Sequence, residues 1–231
     1  GLLDEVTNLI EAPTALRGTF DEAQLELPRE VLVTVMRKHQ RYFPVEDANG
    51  ALMPYFITVR NGDDEHLDIV THGNEHVLRA RFSDASFFYR EDLKTTLEDY
   101  LPRLGTLTFQ EKLGSMLDKN LRVAGLVAGI GDLLGLDATD IAIAERAAQI
   151  AKADLGTNMV VELTSLQGVM GRIYARQAGY PAAVADTIFE HWLPRSADDQ
   201  LPASNPGVLL VFLFSAMTMK AVGRAAMAMV N

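Results

Sequence analysis

The densest group of residues able to do chemistry is Arg37-Lys38-His39-Gln40-Arg41-Tyr42-Phe43. Cations that touch phosphate, set beside rings that stack on a base, suit contact with RNA. The same residues equally describe a solvated turn whose rings pack inward. Three histidines follow, His66, His72 and His76, with Glu65 and Glu75 adjacent. His72 and His76 stand four apart, a spacing that can bring two imidazoles to one metal ion on a helix. The H-E-x-x-H order of zinc hydrolases is absent, and Gly73-Asn74 interrupts a rigid pair, so surface histidines are the expectation.

Other motifs resolve toward structure. Gly129-Ile-Gly-Asp-Leu-Leu-Gly135 has spaced glycines but no strand leading in, so it reads as close helix packing rather than a phosphate loop. Ala153-Asp154 follows a helical run at a place where a metal phosphohydrolase carries His-Asp. Here alanine stands for the histidine, and one carboxylate holds a divalent ion poorly without partner ligands. His191, in Glu190-His-Trp-Leu-Pro-Arg195, with Asp198 and Asp199 after it, is a candidate polar pocket or a helix-terminal histidine. Neither G-x-S-x-G nor a P-loop is present, and Ser165 has no base beside it.

The elements that must carry these residues fall into two parts. In the first, Glu30–Met36, Arg41–Val45 and Tyr55–Arg60 read as strands, with Glu46-Asp-Ala-Asn-Gly50 as the turn of a meander. Asp63 to about Arg81 reads as a helix. In the second, Thr108-Phe-Gln-Glu111 reads as a capping box opening a helix through Leu113, Met116, Leu117 and Leu121. Asp137 caps another helix, and Pro181 opens one that Pro194 should end. The boundary is expected near Pro102–Gly105.

Composition sets limits. The 231 residues are 48% hydrophobic and contain no cysteine, which excludes disulfides, thiolate metal sites and a cysteine nucleophile. The net charge is −10, with 19 acids and 10 bases in residues 1–100, then 12 and 9 in 101–199. After Asp199 only Lys220 and Arg224 are charged. Nucleic-acid binding must therefore rest on a local basic patch. Gly1-Leu-Leu-Asp-Glu5 has no basic region of a secretory signal, and Val208–Met219 is short for a bilayer span. A soluble, cytoplasmic protein is expected.

Longer strings carry a resemblance. Val6–Pro13, Leu27–Val33, His39–Val45, Gly73–Arg81, Asp84–Lys94, Lys152–Leu155, Glu162–Gly171, Tyr174-Ala175 and Glu190–Arg195 occur in order. Over roughly residues 5–207 the chain resembles the β subunit of bacterial-type glycyl-tRNA synthetase, as an internal fragment. The resemblance implies an α+β fold. Its N-terminal mixed α/β domain over 1–103 would hold a small antiparallel sheet and be similar to a domain of the phenylalanyl-tRNA synthetase β chain. An all-α helical domain similar to HD phosphohydrolases would follow over 104–231. Asp154 then matches the Asp of His-Asp, while Lys119 and Arg122 lie where a first metal-binding histidine is expected and His191 lies in the same domain, so a degenerate scaffold without metal is implied. After Pro206-Gly207 the family continues with Ala-Asp-Lys-x-Asp, and Val208–Lys220 departs from it.

The family's role is tRNA binding and positioning, while a partner α subunit uses ATP and Mg to attach glycine to its tRNA. Two α and two β subunits form the assembly. This piece would need no cofactor and carry no catalytic residue. The residues assigned to tRNA contact are Arg37, Lys38, Arg41, Tyr42, Arg79, Arg81 and Arg90. Two alternatives stand beside this reading: a docking module for the α subunit and distal tRNA-binding domains, and an HD-type metal phosphohydrolase. One continuous basic face favours tRNA; dispersed bases with an apolar patch favour docking.

Overall fold

A computed structural model describes residues 1–230, and the side chains of all of these except His39 and residues 220–230. Lys220 and Arg224 therefore lie outside the described side chains. The chain is mixed α and β and divides into two compact units, Gly1–Glu91 and Asp92–Asn231. The division falls ahead of the Pro102–Gly105 stretch expected from sequence. Asp92, the first residue of the second unit, makes its side-chain hydrogen bonds within that unit.

The first unit opens with helix α1 (Leu2–Leu9) and strand β1 (Pro13–Thr19), then helix α2 (Arg29–Thr34), β2 (Phe43–Glu46) and β3 (Leu52–Asn61). β3 is the central strand of an antiparallel sheet ordered β1-β3-β2. Pro13 faces Asn61 and Thr19 faces Tyr55 on one edge, and Phe43 faces Ile57 on the other. The expected strand over Glu30–Met36 is a helix instead. Val31, Leu32, Val35 and Met36 are the buried residues, the stripe of a 3.6-residue period rather than the alternation of a strand. Burial of that stripe outweighs the β-branched preference of Val31, Val33 and Val35. β1, which carries no strand signal strong enough to predict it, takes the place of the missing strand.

After α2 the chain makes a π-helical turn, Val35–His39. Helix α3 (Leu67–Asp92) starts later and runs further than the sequence suggests. Gly73-Asn74 does not break it, because Leu78, Phe82 and Ala85 bury one face against the core.

The second unit contains α4 (Leu97–Tyr100), the hairpin β4 (Thr108–Gln110) and β5 (Gly114–Ser115), then α5 (Met116–Ala124), α6 (Val127–Leu133) and α7 (Ala138–Ile150). α8 (Asn158–Glu162), α9 (Val169–Gln177), α10 (Ala182–Glu190) and α11 (Asn205–Val230) complete it. The capping box lies at Ser115 and Asp118, not at Thr108 and Glu111, which belong to the hairpin and its turn. The helices expected after Asp137 and Pro181 are present. Alanines 144, 147 and 148 let α7 approach α10 and α11 closely. Gly131 does the same for α6, since a Cβ there would sit 2.8 Å from Ile141. Leu209, Leu210, Leu213 and Phe214 bury one face of α11, while Val208, Phe212 and Met219 stay exposed. No described helix is long and apolar enough to cross a membrane.

Asp92 organises this unit. Its Oδ1 accepts from the Asn158 amide at 2.8 Å and the Asn158 side chain at 2.9 Å. Its Oδ2 accepts from the Met159 amide at 2.9 Å and the Tyr174 hydroxyl at 2.8 Å. The carboxylate thus satisfies the first amides of α8, which its short helix cannot. Asp92→Ala is expected to cost about 3 kcal/mol in urea unfolding, since it orphans several buried donors. Asp92→Asn, which keeps some acceptors, should cost less; a change within about 0.5 kcal/mol for the alanine variant would contradict this role.

Candidate functional site

Two polar arrangements stand out, one exposed in the first unit and one buried in the second. In the first unit, Arg37 and Lys38 project from the π-helical turn, exposed, beside a cavity of about 610 Å³ that Leu2, Glu5, Val33 and Thr34 also line. Arg41, with φ 57°, turns its guanidinium to Glu5 at 2.7 Å. Tyr42 is not available for stacking on a base: it is 5% exposed and lies parallel to Phe56, ring centroids 4.6 Å apart. The turn chemistry is legible in the sequence; the inward direction of the ring depends on β3, which supplies Phe56.

Arg79, Arg81 and Arg90 are exposed on α3. They do not form one patch. Arg81 is two residues from Arg79, roughly 200° around the helix. Arg79 and Arg90 do share a ridge, His72–His76–Arg79–Ser83–Phe87–Arg90, spaced 4, 3, 4, 4 and 3 residues apart. That mean of 3.6 is the helical period, so consecutive members are neighbours on one face. All six are exposed and none is an acid. Glu75 lies off the ridge and accepts from Thr19. His72 and His76 thus share a face with Arg79 and Arg90, and no cluster of three or more potential metal-ligating His, Cys, Asp or Glu occurs among the described residues. Sequence reasoning missed Ser83 and Phe87, although the 3.6 spacing from Arg79 was there to find them.

Pairing separates the remaining bases of this unit. Arg17 lies 5.3 Å from the Tyr55 ring centre, Arg29 pairs with Glu46, Arg41 with Glu5 and Arg60 with Asp63. Arg37, Lys38, Arg79, Arg81 and Arg90 have no such partner among the described residues. In an acid-rich unit these five are the cations left to meet an outside anion.

The buried arrangement gathers Lys119, Asn120, Lys152, Asp154, His191 and Trp192. The turn Ala153–Gly156 after α7 directs Asp154 inward, where the Gly168 amide donates to Oδ2. Gly168 has φ 78° and a Cβ there would collide with Trp192, so only glycine fits. Lys152 places its ammonium 3.1 Å from the Trp192 ring centre and 4.9 Å from that of Phe214. Lys119 lies 4.4 Å over Phe109 and donates to Thr218. His191 Nδ1 donates to the Ile188 carbonyl, and burial with the nearby Lys152 charge holds the ring well below its usual pKa. Of the residues assigned to a degenerate His-Asp position, Asp154, Lys119 and His191 meet here. Arg122 does not: it is exposed and donates to the Leu113 carbonyl.

This centre does not fit a divalent ion. Asp154 supplies one carboxylate, and the Lys152 ammonium already provides the positive charge beside it. Lys152 is the residue that sequence reasoning missed, two positions ahead of Asp154.

Comparison with known proteins shows what the chain as a whole is similar to. Residues 1–216 match the family described as glycyl-tRNA synthetase beta subunit. The chain is 54% identical over 209 residues to the glycine–tRNA ligase beta subunit of Halalkalibacterium halodurans, covering 90% of this chain and 30% of that protein. For the same subunit of Synechocystis the values are 52%, 89% and 28%, and for Bacillus subtilis 48%, 90% and 31%. The chain thus spans about a third or less of these relatives.

The buried pair predicts a pH dependence. Burial pushes the Asp154 carboxyl up to about 6, with the Gly168 amide and then Lys152 opposing, and pushes Lys152 well below its usual value, with Asp154 opposing. A raised carboxyl contributes stability that is whole below about pH 4 and is lost as pH rises through about 6. Lys152→Met removes the opposing charge, so the loss should extend to higher pH and reach about 3–5 kcal/mol. Lys152→Met/Asp154→Asn should cost less than Lys152→Met alone in urea unfolding at pH 8. Equal costs would refute the coupling.

Proposed function

The chain belongs to the glycyl-tRNA synthetase β subunit family, and from that premise we propose that it supports tRNA binding and positioning. A partner α subunit then carries out the ATP- and Mg-dependent attachment of glycine, in a cytoplasmic assembly of two α and two β subunits. On this reading the segment contributes binding groups and no catalytic group or cofactor. The observation that carries it is the set of five bases in the first unit that have neither an ion-pair nor a ring partner among the described residues, in a chain of net charge −10. An exposed cation whose carboxylate neighbours are engaged elsewhere gains most from a phosphate oxygen. Arg79 and Arg90, aligned on the acid-free ridge of α3, and Arg37 and Lys38, on the π-helical turn, are the phosphate contacts. The helical unit is read as an HD-like scaffold in which Lys152 stands in for a metal's charge, which argues against a working phosphohydrolase.

A docking role has its own support. Leu134, Leu136, Val208, Leu209 and Phe212 line an apolar cavity of about 250 Å³, and Leu133 and Phe212 beside it are exposed. Such a patch suits an α-subunit or distal-domain contact. Both roles are compatible, since they use different units.

The test is a salt series of tRNA binding by the full two-subunit enzyme. Arg79→Ala/Arg90→Ala should weaken binding and flatten the slope of log affinity against log salt by roughly 0.7–0.9 for each phosphate no longer neutralised. Arg37→Ala/Lys38→Ala should do the same. Arg41→Ala, whose guanidinium is committed to Glu5, should change the slope far less. Unchanged slopes in both double variants would overturn the reading.

A further inference from the structure

The ridge on α3 ends in a ring that electrostatics alone does not explain. Phe87 is 60% exposed, a costly position for a benzyl side chain on a water-facing helix. It is not loosely placed. Phe88 packs edge-on against it, centroids 5.8 Å apart and planes inclined at 66°, and Phe88 is itself half-buried. A ring held outward in this way keeps a face open at little further cost in side-chain order.

Its neighbours state what that face meets. Arg90 lies one turn further along the ridge, and Ser83 and Arg79 lie one and two turns back. Asp84 and Glu91 stand to the other side of Phe87, away from Arg79 and Arg90. An apolar partner surface would gain nothing from two unpaired guanidiniums flanking its anchor, whereas a nucleotide offers a base to the ring and phosphates to the arginines. A base inside a duplex has no free face, so the partner is unpaired. We propose that Phe87 stacks on an unpaired nucleobase of the bound tRNA, with Arg79 and Arg90 holding the flanking phosphates. This rests on the reading that the first unit contacts tRNA, and it moves the stacking role expected of Tyr42 to a residue whose ring is accessible.

The test uses the full two-subunit enzyme and glycine tRNAs that each carry 2-aminopurine at one unpaired position. For the wild type, one position should show quenched fluorescence on binding. Phe87→Leu keeps an apolar side chain but removes the ring, so it should abolish that quenching and lower tRNA affinity roughly 5- to 100-fold, as Phe87→Ala does. Assembly with the α subunit, followed by sedimentation, should be unchanged in both variants. If Arg79→Ala/Arg90→Ala weakens binding while both Phe87 variants keep full affinity and quenching, the stacking role is overturned and the tRNA reading survives. If neither set changes tRNA binding while Arg37→Ala/Lys38→Ala weakens it, the α3 ridge is not the contact and the stacking role is overturned; if Arg37→Ala/Lys38→Ala also changes nothing, the tRNA reading falls with it. If Phe87→Ala impairs assembly and Phe87→Leu restores it, the side chain is an apolar protein-docking anchor and the proposal is overturned.

Discussion

An ammonium and a carboxylate enclosed among helices set the terms for the second unit. Lys152 and Asp154 sit where water does not compensate them, each drawing the other toward its charged form against burial. Everything around them is arranged to tolerate that. Trp192 and Phe214 offer ring faces to the ammonium, Gly168 leaves room for the indole, and the Gly168 amide reaches the carboxylate. Asp154 Oδ1, His191 Nε2 and Asn120 Oδ1 remain without partners among the described residues. A set of unpartnered acceptors beside a buried cation is an expensive core, and replacing such cores by apolar residues often stabilises a protein.

The first unit handles charge in the opposite way. There the acids outnumber the bases, and pairing consumes most of the guanidiniums nearest to carboxylates. What survives as an interaction surface is a remainder, fixed by which cations the fold keeps away from acids. Helix α3 does this by period alone: its 3.6-residue turn sorts two histidines and two arginines onto one face and sends Asp84 to another. The π-helical turn does it by geometry, projecting Arg37 and Lys38 while Arg41 swings to Glu5. An acidic protein can bind a polyanion when its bases are sorted in this way, because screening confines each charge to about a Debye length.

Much of the local structure is readable from residues. Caps at Asp137 and Pro181, and the strand Tyr55–Arg60 within β3, depend on neighbours a few positions away. The failures share a cause. Glu30–Met36 has strand composition, yet Val31, Leu32, Val35 and Met36 meet the core as a helical stripe. Thr108 and Glu111 have capping-box chemistry, yet Ser115 and Asp118 compete for the same helix start and win beside the hairpin. In both cases a contact outside the motif, the core for the first and the Thr108–Ser115 hairpin for the second, chose between two locally acceptable conformations.

The sequence by itself determined the family, since its motif strings occur in order along most of the chain, and it determined the charge balance that any binding role must satisfy. It also supplied the candidate cations. Only the tertiary structure decided which of them are free, because ion pairs such as Arg41 with Glu5 join residues 36 positions apart. The fold likewise turned Tyr42 inward onto Phe56 and left Phe87 outward on Phe88. A ring's or a cation's availability depends on what else is within a few ångströms, and the linear sequence does not carry that distance.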